Sequence, residues 1–296
     1  MGIEFYIEEK RKLINNALEA MILPLKEQSP LYPAISYALL SPGKRIRPIL
    51  TLSTYNGNRG NEKDVIPFAC AVEVLHTYSL IHDDLPIMDN SDMRRGKPAC
   101  HKVYGSDMAL LAGDALLSFA FDIISNSRFQ NNFELQKIIQ VIQEFAIASG
   151  LRGLVGGQVM DMVTMNDSDI DKQTILYIES MKTGSLIRLA VRIGGILSGD
   201  SEEELIALTK FSENFGISYQ IIDDILDVTS AAEVLGKGIG QDIKNKKATL
   251  VALFGVEKAK EIALDLIYKS VDFLKPFGGK YKTLKDIAIL SLNRVK

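Results

Sequence analysis

The sequence contains no tryptophan, only two cysteines and only three histidines among its 296 residues. Its two thiols, Cys70 and Cys100, lack the close spacing of a zinc site or a disulfide framework, so both are expected to be reduced, packed residues. The formal net charge of -3 gives no general reason to bind nucleic acid or an anionic membrane. Composition therefore favours none of the nucleic-acid-binding, disulfide-rich or zinc-dependent classes of protein.

A long uninterrupted apolar run is also missing. The most apolar stretch, 108–124, contains Asp114 and Asp122, so we expect a buried helix there rather than a bilayer span. Residues 1–12 are charged and amphipathic, which does not fit a basic-then-apolar leader. No linker rich in Pro, Gly or Ser divides the chain. The sequence therefore predicts one domain, 1–296, of a soluble cytoplasmic protein without a stable membrane anchor.

Helical periodicity is what the sequence has in abundance. Hydrophobic residues make up 47% of the chain, which is enough for a large core. They recur at helical spacing, and no sustained alternation of polar and apolar residues is present. Turn-forming segments such as Ser41-Pro42-Gly43 separate the helical stretches. We therefore expect an all-α protein.

One apolar helix ends in a dense cluster of charge. Asp83 and Asp84 close the helical run, Pro86 prevents its continuation, and Asp89 follows. Arg94-Arg95 come directly behind the acids. The alternative is a helix end in an acidic loop, but it leaves the neighbouring cations unexplained. Acids that bind cations beside arginines that bind phosphate predict a Mg²⁺–diphosphate site.

A second apolar helix carries Gln220, Asp223 and Asp227 on one face, with Asp224 to one side. Carboxylates at i and i+4 repel each other, so Asp223 and Asp227 destabilise the helix unless a cation lies between them. A solvated acidic face is the alternative, but the flanking residues are so apolar that only a narrow polar stripe remains. We therefore predict that both acid clusters bind metal and that they face one another.

Several other polar residues have both an ordinary and a functional explanation. Lys44, Arg45 and Arg47 form a basic group that is either surface charge or an anion site. His76 precedes Asp83 by seven residues, about 10.5 Å along a helix, and would otherwise be a core histidine. The spacing also leaves open the roles of Gln158, Asp161, Lys182, Thr183, Lys237 and Lys247.

In their order along the chain, these motifs resemble those of the trans-isoprenyl diphosphate synthases, most closely the bacterial farnesyl-forming members. The resemblance covers nearly the whole chain, with one departure at Leu250-Val251, where relatives often have an aromatic residue and Pro. It implies an isoprenoid-synthase helical bundle around a central cavity, and a homodimer. The motifs that carry it are Gly-Lys-Arg-Ile-Arg-Pro at 43–48, His76, Asp-Asp-x4-Asp at 83–89, Arg-Arg-Gly-Lys-Pro at 94–98, Gly-Gly-Gln-x2-Asp at 156–161, Lys-Thr-Gly at 182–184, Tyr-Gln-x2-Asp-Asp-x2-Asp at 219–227, Gly-Lys at 236–237, and Lys247 with Thr249.

The resemblance assigns the two acid clusters to metal. Together they are implied to hold about three Mg²⁺ ions on an allylic substrate, dimethylallyl or geranyl diphosphate. Arg94, Lys182 and Lys237 are implied to add positive charge there, and Thr183 and Gln220 to lie near the developing allylic cation. The implied metal ligands are Asp83, Asp84, Asp89, Asp223, Asp224 and Asp227.

A second substrate, isopentenyl diphosphate, is implied to bind beside the first. Lys44, Arg47, His76 and Arg95 would hold its diphosphate, with Lys247 as a further substrate contact. The implied reaction is head-to-tail prenyl transfer that gives (2E,6E)-farnesyl diphosphate. Only small-molecule substrates are expected as partners besides the second copy of the chain, and no nucleic acid.

The resemblance also implies that product length depends on Tyr78, which stands five residues before Asp83 and about 7.5 Å deeper along the helix. In the family, an aromatic residue here, followed in this chain by Ser79, closes the floor of the chain pocket and favours farnesyl diphosphate. An ordinary core tyrosine is compatible with that role.

Three alternatives to a farnesyl diphosphate synthase stay open: a geranylgeranyl diphosphate synthase, a terpene cyclase and a non-catalytic homologue. A smaller residue at position 78 would let the product grow to geranylgeranyl diphosphate. A cyclase would normally replace the second acid cluster with a mixed Asn/Ser/Glu motif. A non-catalytic homologue would have lost charged residues that this chain keeps.

Overall fold

A computed structural model of the chain describes residues 2–55, 61–126, 132–164, 170–233 and 249–294. These residues form helices almost throughout, as the periodicity predicts. The helices are α1 (Ile3–Ile22), α2 (Tyr32–Leu39), α3 (Ile46–Thr54), α4 (Glu62–Asp83), α5 (Cys100–Tyr104), α6 (Ser106–Ser125), α7 (Leu135–Ser149), α8 (Leu154–Val163), α9 (Lys172–Glu179), α10 (Ser185–Ser198), α11 (Glu202–Glu233), α12 (Leu250–Phe254), α13 (Val256–Phe273) and α14 (Lys282–Ser291). A π-helical turn, Ser180–Gly184, joins α9 to α10.

The described residues contain a single β-hairpin, between α4 and α5. Its strands are β1 (Met93–Arg94) and β2 (Lys97–Pro98), which pair in antiparallel register. The connecting residues Arg95 and Gly96 both have positive φ, 53° and 78°. Two consecutive left-handed residues are the geometry of a tight two-residue hairpin turn, which explains why glycine occupies the second position.

Residue contacts divide the chain into two compact units. The first unit comprises Met1–Gln143 with Ile196–Ser198, and the second comprises Glu144–Gly195 with Gly199–Lys296. The prediction that 1–296 is one domain stays a prediction.

Helix α4 is the central helix of the first unit. An Asn61 capping box begins it, with the Asn61 side chain accepting from the Lys63 amide and the Asp64 side chain accepting from the Asn61 amide. Most of its apolar residues, including the fully buried Phe68 and Leu75, are shielded from solvent. Because α3 and α6 pack against it, α4 has apolar residues on most of its sides. Charged residues buried on such a helix need counter-charges inside the protein.

In the second unit, α11 packs along α13, and glycines bring other elements close together. A Cβ on Gly216 of α11 would lie 2.9 Å from the Cα of Gly184 in the π-helical turn. A Cβ on Gly157 of α8 would lie 2.5 Å from the backbone nitrogen of Lys182. Both glycines are therefore required by direct backbone contact with the Ser180–Gly184 turn.

Length and composition alone would allow three described stretches to cross a membrane: Glu62–Asp83, Ser106–Ser125 and Leu135–Val163. The two acids at 114 and 122 therefore do not exclude a span by composition, contrary to the expectation for 108–124. In α4, 78% of the apolar window is buried inside the protein, against 39% in α6. Internal packing thus accounts for most of the apolar character of α4.

Replacing Gly157 by alanine is expected to lower the free energy of unfolding by about 1–3 kcal/mol, because the new methyl group would meet backbone that cannot rotate away. Helix propensity alone would change stability in the opposite direction, since alanine is favoured over glycine within a helix. Urea unfolding followed by circular dichroism would measure the difference. Gly279→Ala is the matched control, because a Cβ there meets nothing within 4 Å; equal stability of the two variants would contradict the argument.

Candidate active site

The end of α4 places the first acid cluster. Beyond Pro86 the chain folds back, because the Asp89 amide donates to the Asp83 carbonyl at 2.9 Å and the Asn90 amide to the Leu85 carbonyl at 3.1 Å. The structure therefore brings Asp89 to the same helix end as Asp83, as the sequence predicts.

Asp84 and Arg94 form a partly buried ion pair at that helix end. Asp84 is only 2% exposed, and Arg94 Nε donates to its two carboxylate oxygens at 3.0 and 3.1 Å. Burial lowers the pKa of Arg94, but its hydrogen bonds to Asp84 and the charges of Asp84, Asp83 and Asp89 raise it above its ordinary value. A predicted metal ligand and a predicted phosphate-binding arginine thus neutralise each other here.

Two turns of α4 away, His76 meets Arg47 of α3, with 3.1 Å between His76 Nε2 and Arg47 Nη1. Burial, and then the charges of Arg47, Arg95, Arg94 and Arg45, hold the pKa of His76 well below its ordinary value. The ring is therefore neutral near pH 7. Arginine can only donate, so Nε2 accepts and the proton lies on Nδ1. That Nδ1 is buried and has no hydrogen-bond partner among the described residues.

Arg95 enters the same region from the hairpin turn. Its guanidinium lies against Gly43, where an added Cβ would come within 3.0 Å of Arg95 Cζ. Arg95 Nη2 donates to Glu73 Oε1 at 3.3 Å, whereas Nη1 is buried and has no partner among the described residues. The structure thus brings Arg47, His76 and Arg95 together, and Lys44 lies exposed at the turn just before α3.

Two residues of this network were not assigned a role from the sequence. Arg45, 3% exposed, donates to Asn15, to Glu73 and to two backbone carbonyls; Glu73 is 1% exposed. The sequence contained a signal, because Glu73 is a lone acid in an otherwise apolar stretch of α4. A charge in that position requires a buried counter-charge, and Arg45 provides it.

Tyr78 lies on another side of α4. Five residues at 100° each place it about 140° around the helix from Asp83. It is 5% exposed, and its ring meets that of His82 edge-on, with 5.2 Å between the ring centroids. His82 Nε2 in turn lies 3.0 Å from the Leu110 carbonyl of α6. Tyr78 is therefore packed on the α6 side of α4, and its neighbour Ser79 donates to the His76 carbonyl at 2.8 Å.

The second unit holds its predicted residues in a hydrogen-bonded series. Thr183 Oγ1 donates to Gln220 Oε1, and Gln220 Nε2 donates to Asp224 Oδ1, both at 2.7 Å. Lys182 Nζ donates to Asp161 Oδ2, also at 2.7 Å. The helix interruption seen in the sequence is a π-helical turn, a feature frequent at functional sites. It turns Lys182 towards α8 and Thr183 towards α11.

The second acid cluster is also held by a cation. Arg294 donates to Asp223, and its guanidinium lies 4.9 Å from the centre of the Tyr219 ring. Asp227 Oδ2 is buried and has no hydrogen-bond partner among the described residues. No sequence signal pointed to Arg294, which lies in a C-terminal segment without a recognisable motif.

Glu179 is a further residue that the sequence left unassigned. It is 7% exposed at the start of the π-helical turn, and its Oε2 has no partner among the described residues. Burial, and then the charge of Asp224, raise the pKa of Glu179 to about 9. This carboxyl group is therefore neutral at pH 7 and leaves the negative charge of the cluster to the aspartates.

The donor set fits Mg²⁺ carried by a phosphate group. Carboxylate oxygens are the ligands that Mg²⁺ prefers, and Asp227 Oδ2 is an acceptor still to be satisfied. Within the described ranges, no three acidic, His or Cys side chains are arranged to hold one ion. Mg²⁺ usually takes one or two carboxylates and completes its shell with water and substrate phosphates, so such a cage is not required.

Two predictions stay untested by this geometry. Lys237 and Lys247 fall outside the described residues, in the range 234–248. That the two acid clusters face one another concerns both units together, and it stays a prediction.

Comparison with known proteins places these features in context. The model of a family described as polyprenyl synthetase matches residues 28–274. A chloroplastic geranylgeranyl pyrophosphate synthase of Capsicum annuum is 42% identical over 279 residues, 94% of this chain and 75% of that protein. A geranylgeranyl diphosphate synthase of Cyanophora paradoxa is 40% identical over 289 residues, 98% of this chain and 95% of that one.

Solved structures agree in fold. An FPP/GFPP synthase from Zymomonas mobilis has a TM-score of 0.85 at 32% identity, with 97% of each chain covered. A geranylgeranyl pyrophosphate synthetase from Pyrococcus horikoshii has a TM-score of 0.86 at 32% identity, with 98% of each chain covered. The predicted all-α isoprenoid-synthase fold is confirmed.

The free energy of unfolding is expected to decrease as the pH drops below about 7, in part because of His76. The pKa of His76 lies well below 6.5 in the folded protein, but in the unfolded chain it returns to its ordinary value of 6.5. The unfolded state therefore takes up a proton first, and stability at about pH 5.5 is lower by up to about 1.4 kcal/mol.

His76→Gln should remove that contribution to the slope of unfolding free energy against pH. Urea unfolding at several values between about pH 8 and pH 5.5 would measure both slopes. At the upper end neither state of His76 is protonated, so the difference there reports the lost contacts alone. Identical slopes for the two proteins would contradict the assignment.

Proposed function

The chain belongs to the polyprenyl synthetase family, and on that premise we propose that it condenses isopentenyl diphosphate with allylic diphosphates to give geranylgeranyl diphosphate. The resemblance found in the motifs is confirmed, and with it prenyl transfer as the class of reaction. One observation carries the proposal: α4 supports an anion-binding group, Arg47, His76 and Arg95, and an acid–arginine pair, Asp84 and Arg94. In this proposal, one helix supports both the diphosphate site and the metal site.

The proposed product rests on the relatives. Those from Capsicum annuum and Cyanophora paradoxa are named geranylgeranyl diphosphate synthases, and they cover nearly the whole chain. Farnesyl diphosphate is the second candidate, because the bulky Tyr78 is present and buried at the position where the family closes its chain pocket. Prenyl transfer by repeated addition of one isoprene unit accounts for either product.

The reaction begins when the allylic C1–O bond breaks and its electron pair leaves with the diphosphate. The isopentenyl double bond then attacks C1, and the proton lost from isopentenyl C2 passes to the departed diphosphate. Mg²⁺, when bound, supplies positive charge that stabilises this leaving group. The residues that would hold it are the aspartates of the two acid clusters.

The chain's own residues prepare both substrates. Arg94 and Lys182 now neutralise Asp84 and Asp161, and a diphosphate would take their place as partner. His76 Nδ1–H and Arg95 Nη1 are donors for the second diphosphate. Thr183 donates to the Gln220 oxygen, so their dipoles are fixed before the allylic cation forms.

Other parts of the assignment stay predictions. They are the number of Mg²⁺ ions, the homodimer, the cytoplasmic location, the lack of a membrane anchor and the lack of nucleic-acid binding.

With Mg²⁺, isopentenyl diphosphate and dimethylallyl diphosphate, the chain is expected to form mainly geranylgeranyl diphosphate. Labelled isopentenyl diphosphate and chromatography of the dephosphorylated products would identify the chain length. Mainly farnesyl diphosphate would overturn the proposed product and favour the Tyr78 argument. No elongation would overturn prenyl transfer, and cyclic hydrocarbon from geranyl diphosphate alone would indicate a terpene cyclase.

Two variants test whether the acid clusters take part in that assay. Asp83→Asn and Asp223→Asn are expected to lower turnover by at least about 100-fold, because each removes charge that would hold metal on the leaving diphosphate. Lys282→Gln is a suitable control, since it removes only an exposed ion pair with Asp286. Aspartate variants with turnover near wild type would overturn the metal assignment.

Tyr78→Ala is expected to lengthen the main product by at least one isoprene unit, because it removes a buried ring from the α6 side of α4. Tyr78→Phe keeps the ring and should leave product length unchanged. Product analysis of the folded variants, checked by circular dichroism, gives the answer. An unchanged product from Tyr78→Ala would show that this residue does not limit chain length.

A further inference from the structure

Glu73 is a buried carboxylate to which neither the family motifs nor the proposed reaction gives a role. It is 1% exposed on α4, and a single oxygen, Oε1, accepts from Arg45 Nη1 at 2.6 Å and from Arg95 Nη2 at 3.3 Å. Burial raises the pKa of Glu73, but the charges of Arg45, Arg95 and Arg47 outweigh it and lower the pKa below its ordinary value. Glu73 is therefore ionised and shared between two arginines.

The first of these arginines fixes the backbone that precedes α3. Arg45 has a left-handed φ of 53°, and Nη2 donates to the carbonyls of Leu39 and Ser41 at 2.9 and 2.8 Å. Its Nε donates to Asn15 at 2.8 Å. With Nη1 on Glu73, Arg45 has the satisfied, buried environment of a structural residue rather than of a phosphate ligand.

The second arginine is left partly unsatisfied. Arg95 Nη2 donates to Glu73, but the buried Arg95 Nη1 has no partner in the described part of the chain. His76 Nδ1 likewise has no partner there. Arg45 and Arg95 carry two positive charges, and in the described part of the chain they share one carboxylate, that of Glu73. Two buried donors and an excess of positive charge indicate an anion site that Glu73 borders but does not fill.

Glu73 also separates two arginines that are adjacent in sequence. Arg94 is held by Asp84 and Arg95 by Glu73, and these acids lie eleven residues apart on one face of α4, or about 16 Å. The tight turn at Arg95 and Gly96 makes this divergence possible. Without Glu73, nothing described on α4 would direct Arg95 away from the acid end.

We propose that Glu73 is a positioning residue for isopentenyl diphosphate: it holds Arg95 against Gly43, so that Arg95 Nη1 and His76 Nδ1 together donate to the diphosphate. This inference rests on the proposed function, because the identity of the anion comes from it. Glu73 itself repels the substrate and acts through Arg95. Its loss therefore weakens substrate binding even though a negative charge is removed.

Calorimetric titration of the full chain with isopentenyl diphosphate, without allylic substrate, tests the proposal in the absence of turnover. Glu73→Gln is expected to weaken binding by about 10- to 100-fold, the usual effect of losing one hydrogen bond to a charged group. In steady-state assays the KM for isopentenyl diphosphate should rise, whereas the KM for dimethylallyl diphosphate should change less than about threefold. Unchanged affinity in folded Glu73→Gln would overturn the proposal.

A double-mutant cycle separates positioning from general damage. In an Arg95→Gln background, Glu73→Gln should weaken binding by less than about threefold further, because its effect runs through Arg95. Equal losses in both backgrounds would overturn the proposed route. Glu144→Gln is the matched control: it breaks a comparable partly buried pair with Arg192, at 2.9 Å, and should lower stability without changing isopentenyl diphosphate affinity.

Glu73→Gln leaves Arg45 as a buried charge without a counter-charge, and that variant can fail to fold. Glu73→Gln combined with Arg45→Met removes both charges and still releases Arg95, so the same loss of affinity is expected. Wild-type affinity in this double variant would overturn the proposal. If the wild-type chain itself does not bind isopentenyl diphosphate, the proposed function fails, and this inference with it.

Discussion

The need to pair every charge on α4 is the constraint on which the first unit depends. An apolar helix packed between α3 and α6 cannot leave Glu73 or Asp84 without counter-charges. Two arginines from one hairpin, Arg94 of β1 and Arg95 of the turn, and a third from the segment before α3 provide these counter-charges. Those arginines have more donors than the two acids can use, and the spare donors are the ones that the proposed diphosphate site would use. In that proposal, stability and substrate binding share one network.

The second unit solves the same problem with different elements. Asp223 is paired with Arg294 and Asp161 with Lys182, whereas Glu179 avoids charge by remaining protonated. In the proposed function, phosphate and metal would replace each acid–cation pair, so that both partners exchange one favourable contact for another. The cost of binding would then be smaller than for unpaired charges in an apolar environment.

Local spacing was enough to predict the helices, the acid clusters and the basic groups, because periodicity and i, i+4 relations act within one element. It could not predict that Arg294 pairs with Asp223, because the two residues are 71 positions apart. Nor could it predict that Glu73 lies between two arginines, each of which is at least 22 positions away. Arg45 shows the limit most clearly. It belongs to the same basic group as Lys44 and Arg47, yet its burial makes it structural. Only the fold distinguishes an anion ligand from a buried counter-ion.

Product length meets the same limit. A position five residues before Asp83 defines a depth along α4, but the room around that position depends on neighbours from α6. Tyr78 meets His82, and a Cβ on Gly113 would approach His82 Nε2 to 2.2 Å. The α4–α6 distance at this level is thus set by a glycine thirty-five positions away from the tyrosine. In the proposed chain pocket, Tyr78 would therefore act as part of this packed layer and not alone. For this reason the name of a residue at one position predicts product length less securely than the packing around it.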